Sequence, residues 1–225
     1  ELELWKQILD KAIKGRRTGL GVTGLGDVIA MMGHRYGSKE SIDLTSHVYQ
    51  CLAKASHMSS LTMAAERGAF PIFSYEKEKD HPYLNKILSS SREMWKTTGR
   101  RNIANTTTAP CGSTSIEAQV SSGIENVAFI EGIRKRKLPK DDPRVDEVDA
   151  KGDGWQRYEF VHPGFKLWRE VTGKHDYEDS PYFGSTSIDS EWVKSVEIQA
   201  AAQAWVDHSI SKTCNFPKDA SKDVV

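Results

Sequence analysis

The chain has 225 residues, 38% hydrophobic and 28% charged, a balance that lets a chain of this length bury roughly 70% of its unfolded surface and excludes a disordered segment. Thirty-one basic residues match thirty-one acidic ones, so no global field selects nucleic acid or an anionic membrane, and no apolar run approaches the ~18 residues of a membrane span. Three widely spaced cysteines, Cys51, Cys111 and Cys214, make neither a disulfide framework nor a Cys-x-x-Cys metal site; reduced thiols, no metal and a cytoplasmic location are expected.

Residues 2–14 carry Leu4, Ile8, Ala12 and Ile13 at helical spacing before Gly15, which predicts an amphipathic helix. The first residue is not methionine and this helix starts almost at once, so the chain reads as an internal piece of a longer or split protein. Gly19, Gly21 and Gly24 fit G-x-G-x-x-G, but Lys14-Gly-Arg-Arg-Thr18 precedes them where a dinucleotide fold places a buried strand. A glycine-rich turn where backbones approach closely, then a short helix to Gly33, is the better reading, with an NAD-dependent dehydrogenase as the weaker one.

Residues 38–67 form the longest helical pattern, with Ile42, Val48, Leu52, Ala55, Leu61 and Ala64 along it and Gly68 as its stop. Its His47, Cys51 and His57 read as core or surface residues rather than metal ligands. Two short helices, over 81–90 and 92–97, precede a β-prone run from Arg101. A helix over 115–120, a turn at Ser122-Gly-Ile-Glu-Asn126 and a strand over 127–133 follow. Glu125 is either a substrate-orienting carboxylate or, more simply, a capping or salt-bridged one. Arg134 with Lys135 to Lys140 reads as a solvated basic face, residues 138–154 as a surface excursion, and 155–160 as an edge strand. A helix from His162 and another over 190–208, with Trp192, Val196, Ala200, Gln203 and Val206 inward, precede a last strand over 209–216 that runs into Pro217. Helix and strand alternating with glycine at the joints predict an α/β architecture with a largely parallel sheet or barrel.

The most informative stretch is Arg101-Asn-Ile-Ala-Asn-Thr-Thr-Thr-Ala-Pro-Cys-Gly-Ser-Thr-Ser115. Pro110 stops the strand, and Cys111, Gly112, Ser113, Thr114 and Ser115 open a helix with hydroxyls and unpaired backbone N–H groups. That is the composition of an anion cradle, although a plain strand, proline turn and capped helix would read the same way.

Five segments in order resemble the large, catalytic subunit of ribonucleotide reductase. They are Arg17-Thr-Gly-Leu-Gly-Val-Thr-Gly-Leu-Gly-Asp27, Ala64-Ala-Glu-Arg-Gly-Ala-Phe-Pro71, Thr108-Ala-Pro-Cys-Gly-Ser-Thr-Ser115, Ser122-Gly-Ile-Glu-Asn126 and Asp207-His-Ser-Ile-Ser-Lys-Thr-Cys-Asn-Phe-Pro217. Asn126 departs from the family's usual proline, and Cys111 stands where relatives often carry threonine. The resemblance implies a ten-stranded α/β barrel of which residues 1–225 supply the second, carboxy-terminal half. It also implies thiyl-radical reduction of ribonucleotides to deoxyribonucleotides for DNA synthesis, with the radical and redox cysteines outside this segment. None of Cys51, Cys111 and Cys214 is taken as the radical site. The substrate-phosphate cradle carries over onto Pro110, Cys111, Gly112, Ser113, Thr114 and Ser115.

Gly152-Asp-Gly-Trp-Gln156 and the insertion around it look most like the adenosylcobalamin-dependent class, which brings adenosylcobalamin and a thioredoxin-type reductant as expected cofactors. Expected partners are a ribonucleoside di- or triphosphate, the amino-terminal barrel half, the carboxy-terminal tail and a second copy in a homodimer, with no nucleic acid and no membrane. The alternative is a non-catalytic nucleotide-phosphate-binding module derived from the same barrel.

Overall fold

The computed structural model describes residues 1–216 and Ser221, so the expected turn at Pro217 lies outside the described residues. Helix α1 (Leu2–Gly15) ends where Arg16 enters the left-handed region at φ 47°, and Gly15 is its one buried residue. Helix α2 (Leu25–Met31) starts from Gly24 at φ 80°. Helix α3 (Lys39–Arg67) follows the sequence closely: the Ser38 hydroxyl accepts the Ser41 N–H at its start, and Gly68 at φ 79° ends it. Its buried stripe is Ser41, Thr45, Tyr49, Ala53, His57, Ser60, Leu61 and Ala64, so of the expected inner positions only Leu61 and Ala64 are fully buried. Small side chains on that stripe let the helix lie close to its neighbours.

Short helices α4 (Tyr75–Glu78), α5 (Pro82–Leu88) and α6 (Arg92–Thr98) follow. They close a core of Leu61, Leu84, Leu88 and fully buried Trp95 against α3. Helix α7 (Gly112–Ala118) opens three residues earlier than expected. Helix α8 (Pro163–Thr172) has proline in its first turn, where the missing N–H costs nothing. Helix α9 (Trp192–Gln203) is shorter than expected, and Ser195, Ile198 and Ala202 are the residues it buries, whereas Val196 is exposed. Its last expected turn unwinds because the Asp207 carboxylate is taken up elsewhere: it accepts the N–H groups of Asn105 and Thr106 and the Thr106 hydroxyl, at 2.7–3.0 Å.

The named sheet departs from the expected parallel one. Strands β1 (Glu131–Leu138), β2 (Glu147–Val148) and β3 (Gly154–Val161) pair antiparallel in the order β1-β3-β2, which puts 155–160 in the centre rather than at an edge. The supposed excursion contributes β2. Parallel pairing does occur, as single bridges: Leu20 with Thr106 and Thr108 with Ile210. Three short parallel segments therefore run side by side, 18–20 beside 104–108 beside 208–211, joined by bonds such as Thr107 N–H to Leu20 O at 2.9 Å and His208 N–H to Thr106 O at 3.2 Å. Helices, a small sheet and this parallel ribbon make an α/β fold.

The glycine-rich segment serves close packing rather than dinucleotide binding. A Cβ on Gly21 would stand 2.2 Å from Thr107 O, and one on Gly26 would stand 2.6 Å from Glu125 O, so the faces a pyrophosphate would need are occupied by backbone. Gly21→Ala is expected to lower stability by about 1–3 kcal/mol. Gly112→Ala, with nothing within 4 Å of its Cβ, should leave stability unchanged. Urea denaturation of both variants checks this.

Candidate functional site

The 101–115 stretch turns at Ala109-Pro110 and enters α7, with Cys111 as its N-cap and no side chain bonding the free amides. Cys111 uses its own N–H to reach the Ser122 hydroxyl at 3.0 Å, and its thiol points back to Ala109 O at 3.2 Å. The first intrahelical bond is Ser115 N–H to Cys111 O, which leaves the amides of Gly112, Ser113 and Thr114 as the unmatched donors of the first turn. Pro110, Gly112, Ser113 and Thr114 are exposed and Cys111 is half-buried. Ser115 is buried, and its hydroxyl is spent on Gly112 O at 3.0 Å. Of the six expected residues, Gly112, Ser113 and Thr114 form an open amide-and-hydroxyl rim, Pro110 and Cys111 lead into it, and Ser115 braces it.

Beside this rim lies a cleft of about 1060 Å³, whose lining includes Ser115, Ser122, Glu125, Arg134 and Asp189. Glu125 is salt-bridged: it accepts from the fully buried Lys212 ammonium and from Thr213 N–H, the plainer of its two readings.

Sequence reasoning missed the group that holds this region together. Asp27, at the end of the glycine-rich motif, is 2% exposed. Its Oδ2 accepts Ser121 N–H at 2.6 Å, while Oδ1 meets His162 Nε2 at 2.6 Å and accepts the Tyr182 hydroxyl at 2.8 Å. Around it, Thr23 O–H donates to Ser121 O, Gly123 N–H donates to the Thr23 hydroxyl, and Gly24 N–H reaches Ser121 O. The 121–125 turn is thereby clamped to the glycine-rich segment, and through Ser122 it fixes Cys111. A Cβ at Gly164 would lie 2.7 Å from Asp27 Oδ1, so glycine there leaves room for the carboxylate. The partners lie up to 155 residues from Asp27, beyond the reach of any local pattern.

Burial works to raise the Asp27 carboxyl, but the hydrogen bond and charge of His162, with Ser121 and Tyr182, hold it below its ordinary value. Asp207 is likewise held far below the carboxylate range, since bonds from His57, Asn105 and Thr106 outweigh its burial. Tyr182 is pushed up by burial and by the adjacent Asp27 charge, so it remains a donor.

His57 is the buried member of the expected histidines, with Nε2 3.4 Å from Asp207 Oδ2. His47 and Cys51 sit together on the exposed side of α3. Among the described residues no cluster of histidine, cysteine, aspartate or glutamate could hold a metal ion, and no helix is long and apolar enough to cross a membrane.

Both carboxylates are lowered on folding, so the stability they contribute is complete above the ordinary carboxylate range and is lost as pH falls below about 4. Asp27→Asn is expected to lower stability at pH 7 by about 1–3 kcal/mol and to flatten the decline below pH 4. Urea midpoints between pH 7 and pH 2.5 read both effects.

Residues 4–225 match the family model described as ribonucleotide reductase, barrel domain. The chain is 30% identical over 222 residues to a vitamin B12-dependent ribonucleoside-diphosphate reductase of Mycobacterium tuberculosis, covering 93% of this chain and 28% of that protein. A protein of the same description from Thermoplasma acidophilum is 29% identical over 215 residues, covering 92% of this chain and 25% of the relative. The ribonucleoside-diphosphate reductase subunit alpha of Treponema pallidum is 27% identical over 141 residues, 59% of this chain and 17% of its own length. The chain therefore spans about a quarter of the length of the B12-dependent relatives it matches. A family match over residues 4–225 settles the kinship: this chain belongs to the ribonucleotide reductase family, within its barrel domain.

Proposed function

We propose that this chain is the substrate-phosphate half of a ribonucleotide reductase barrel, part of an enzyme that reduces ribonucleotides to deoxyribonucleotides by thiyl-radical chemistry. The observation that carries the reading is the α7 entrance: three unmatched amides and two exposed hydroxyls on a rim beside a large cleft, within a barrel-domain match of 222 residues. In this reading the parallel ribbon of residues 18–20, 104–108 and 208–211 belongs to the ten-stranded barrel, and residues 1–225 form its carboxy-terminal half. The remaining barrel half and the tail lie on other segments, and two such enzymes pair as a homodimer. The family's cytoplasmic location is part of the same proposal.

The role of these residues is positional. The amides of Gly112, Ser113 and Thr114, with the Ser113 and Thr114 hydroxyls, hold the 5′-phosphates, and the helix dipole adds to the attraction. Pro110 and Cys111 set the entry angle, and Ser115 braces the first turn. Cys111 supplies no hydroxyl, and its amide is committed to Ser122, so it shapes the rim without gripping the phosphate. Fixing the phosphates fixes the ribose, an orientation effect worth several kcal/mol.

The B12-dependent relatives support adenosylcobalamin as the radical source of the whole enzyme, with a thioredoxin-type reductant restoring its thiols. Cobalamin needs a broad face of its own. The cleft lined by Ser115 and Ser122 lies beside the cradle, and no residue of this segment is assigned to cobalamin. Cys51 is exposed on α3, and Cys111 and Cys214 are half-buried; none is proposed as the radical site.

Ser113→Ala combined with Thr114→Ala, placed in a complete reductase carrying this segment, is expected to weaken ribonucleotide binding by about 2 kcal/mol, roughly thirtyfold. Equilibrium binding of the substrate checks it, and unchanged affinity would remove the cradle. Ribonucleotide turnover by the 225-residue chain alone would sink the half-barrel reading.

A further inference from the structure

His162 does more than its bond to Asp27 requires. It is 6% exposed, its backbone N–H reaches Ile130 O at 2.7 Å, and its ring meets those of Phe160 and Tyr182 edge to face. Nε2–H donates to Asp27 Oδ1 at 2.6 Å. The other ring nitrogen, Nδ1, makes no hydrogen bond among the described residues. It is not sealed in protein as the unpaired Nε2 atoms of His57 and His208 are, and its ring lines the large cleft.

Asp27 decides what that nitrogen can do. Burial opposes ionisation of Asp27, yet the bonds from His162, Ser121 and Tyr182 outweigh it and keep the carboxylate charged. The Nε2 proton therefore stays in place, and the proton that a histidine gains or loses between about pH 5 and 8 comes and goes at Nδ1. Neutral, the ring offers the cleft an acceptor; protonated, it offers a cationic donor.

A second cation shares this corner. Arg134 is half-buried and lines the same cleft, and its guanidinium has no carboxylate partner among the described residues. Its central carbon lies 3.4 Å from the centre of the Phe160 ring, whose centre is 6.5 Å from that of His162. A stacked guanidinium is fixed in orientation while its in-plane N–H groups can still donate. Of the other charges around this ring and along the cleft, Glu131 pairs with Arg169, Glu125 with Lys212, and Asp189 accepts from Tyr177 and Thr186. Lys166 and Glu191 are exposed. Because Asp27 balances a protonated His162, the corner then carries the one positive charge of Arg134, and with His162 neutral it carries none. A single negative charge fits it; a phosphate dianion does not. Planar, two-oxygen geometry suits the guanidinium, and the cleft walls of Val127, Phe129, Trp192 and Phe216 suit an apolar body.

We infer that His162 and Arg134 form a carboxylate-binding corner of this cleft, which takes a monocarboxylate on an apolar or aromatic body and closes to it when Nδ1 loses its proton. The site is independent of whether residues 110–115 hold a phosphate.

The test titrates the 225-residue chain, labelled with 15N-histidine, with benzoate at pH 5.5 and pH 8, and with inorganic phosphate for comparison. Benzoate is expected to shift the His162 Nδ1 resonance and to bind about tenfold more tightly at pH 5.5 than at pH 8. His162→Gln puts an amide nitrogen where Nε2 stands, keeps a donor for Asp27 and removes Nδ1; it should bind benzoate weakly and equally at both pH values. Arg134→Met leaves the Asp27 clamp untouched and should weaken benzoate about tenfold at pH 5.5. Thermal melting checks that both variants fold. If His162→Gln does not fold, the wild-type Nδ1 resonance decides, and a resonance unmoved by benzoate overturns the site. It is also overturned by wild-type binding of equal strength at both pH values, or by full pH dependence in folded His162→Gln. Phosphate binding at Nδ1 as tight as that of benzoate overturns the carboxylate assignment.

Discussion

One buried carboxylate organises the candidate site. Asp27 draws the backbone of Ser121, the ring of His162 and the hydroxyl of Tyr182 onto two oxygen atoms, all within 2.8 Å. A carboxylate taken out of water is costly unless it is fully hydrogen-bonded, so this arrangement is stable only when all the donors are in place. Each donor belongs to a different part of the chain: the turn after α7, the junction of β3 with α8, and the loop before α9. Placing Asp27 therefore places the turn, the turn places Ser122, and Ser122 places Cys111 at the entrance of α7.

Glycine makes that convergence sterically feasible. Gly21, Gly24, Gly26 and Gly164 stand where a Cβ would meet Thr107, Val120, Glu125 or Tyr182 at 3.2 Å or less. At Gly21 and Gly26 the obstacle is main chain, which cannot rotate aside as a side chain can. The second buried carboxylate, Asp207, does the equivalent work on the other side. It ties the 104–108 segment to the end of α9, and through His57 it reaches the buried stripe of α3. The ribbon that leads into α7 is thus secured from both flanks by acids rather than by a long strand ladder.

What was legible in the sequence was what depends on neighbouring residues. The start and stop of α3 followed from Ser38 and Gly68, the close-packed glycine segment from its spacing, and the salt-bridged Glu125 from its place in a short turn. The hairpin was misjudged because β2 is two residues long and its Glu147 is held by Lys135 and Arg157, so charge pairing replaced the apolar alternation that marks a strand. The end of α9 was misjudged because Asp207 bonds to a segment about a hundred residues away. Asp27, His162 and Tyr182 were given no role for the same reason: each gains its meaning from a partner that topology supplies. The hydroxyl-rich composition of residues 110–115 was plain in the sequence, but the cleft beside Ser115 was not.

The separations across the Asp27 clamp have a consequence for the order in which the molecule assembles. Its bonds span 94, 135 and 155 residues, and closing loops of that length is slow compared with winding a helix. During synthesis residues 110–115 emerge well before His162 and Tyr182. A nascent chain paused at α7 holds every residue of the 110–115 turn but lacks the two donors that complete the carboxylate's shell. Closure of this carboxylate's shell is therefore a late event in folding, which waits for residue 182 to clear the ribosome.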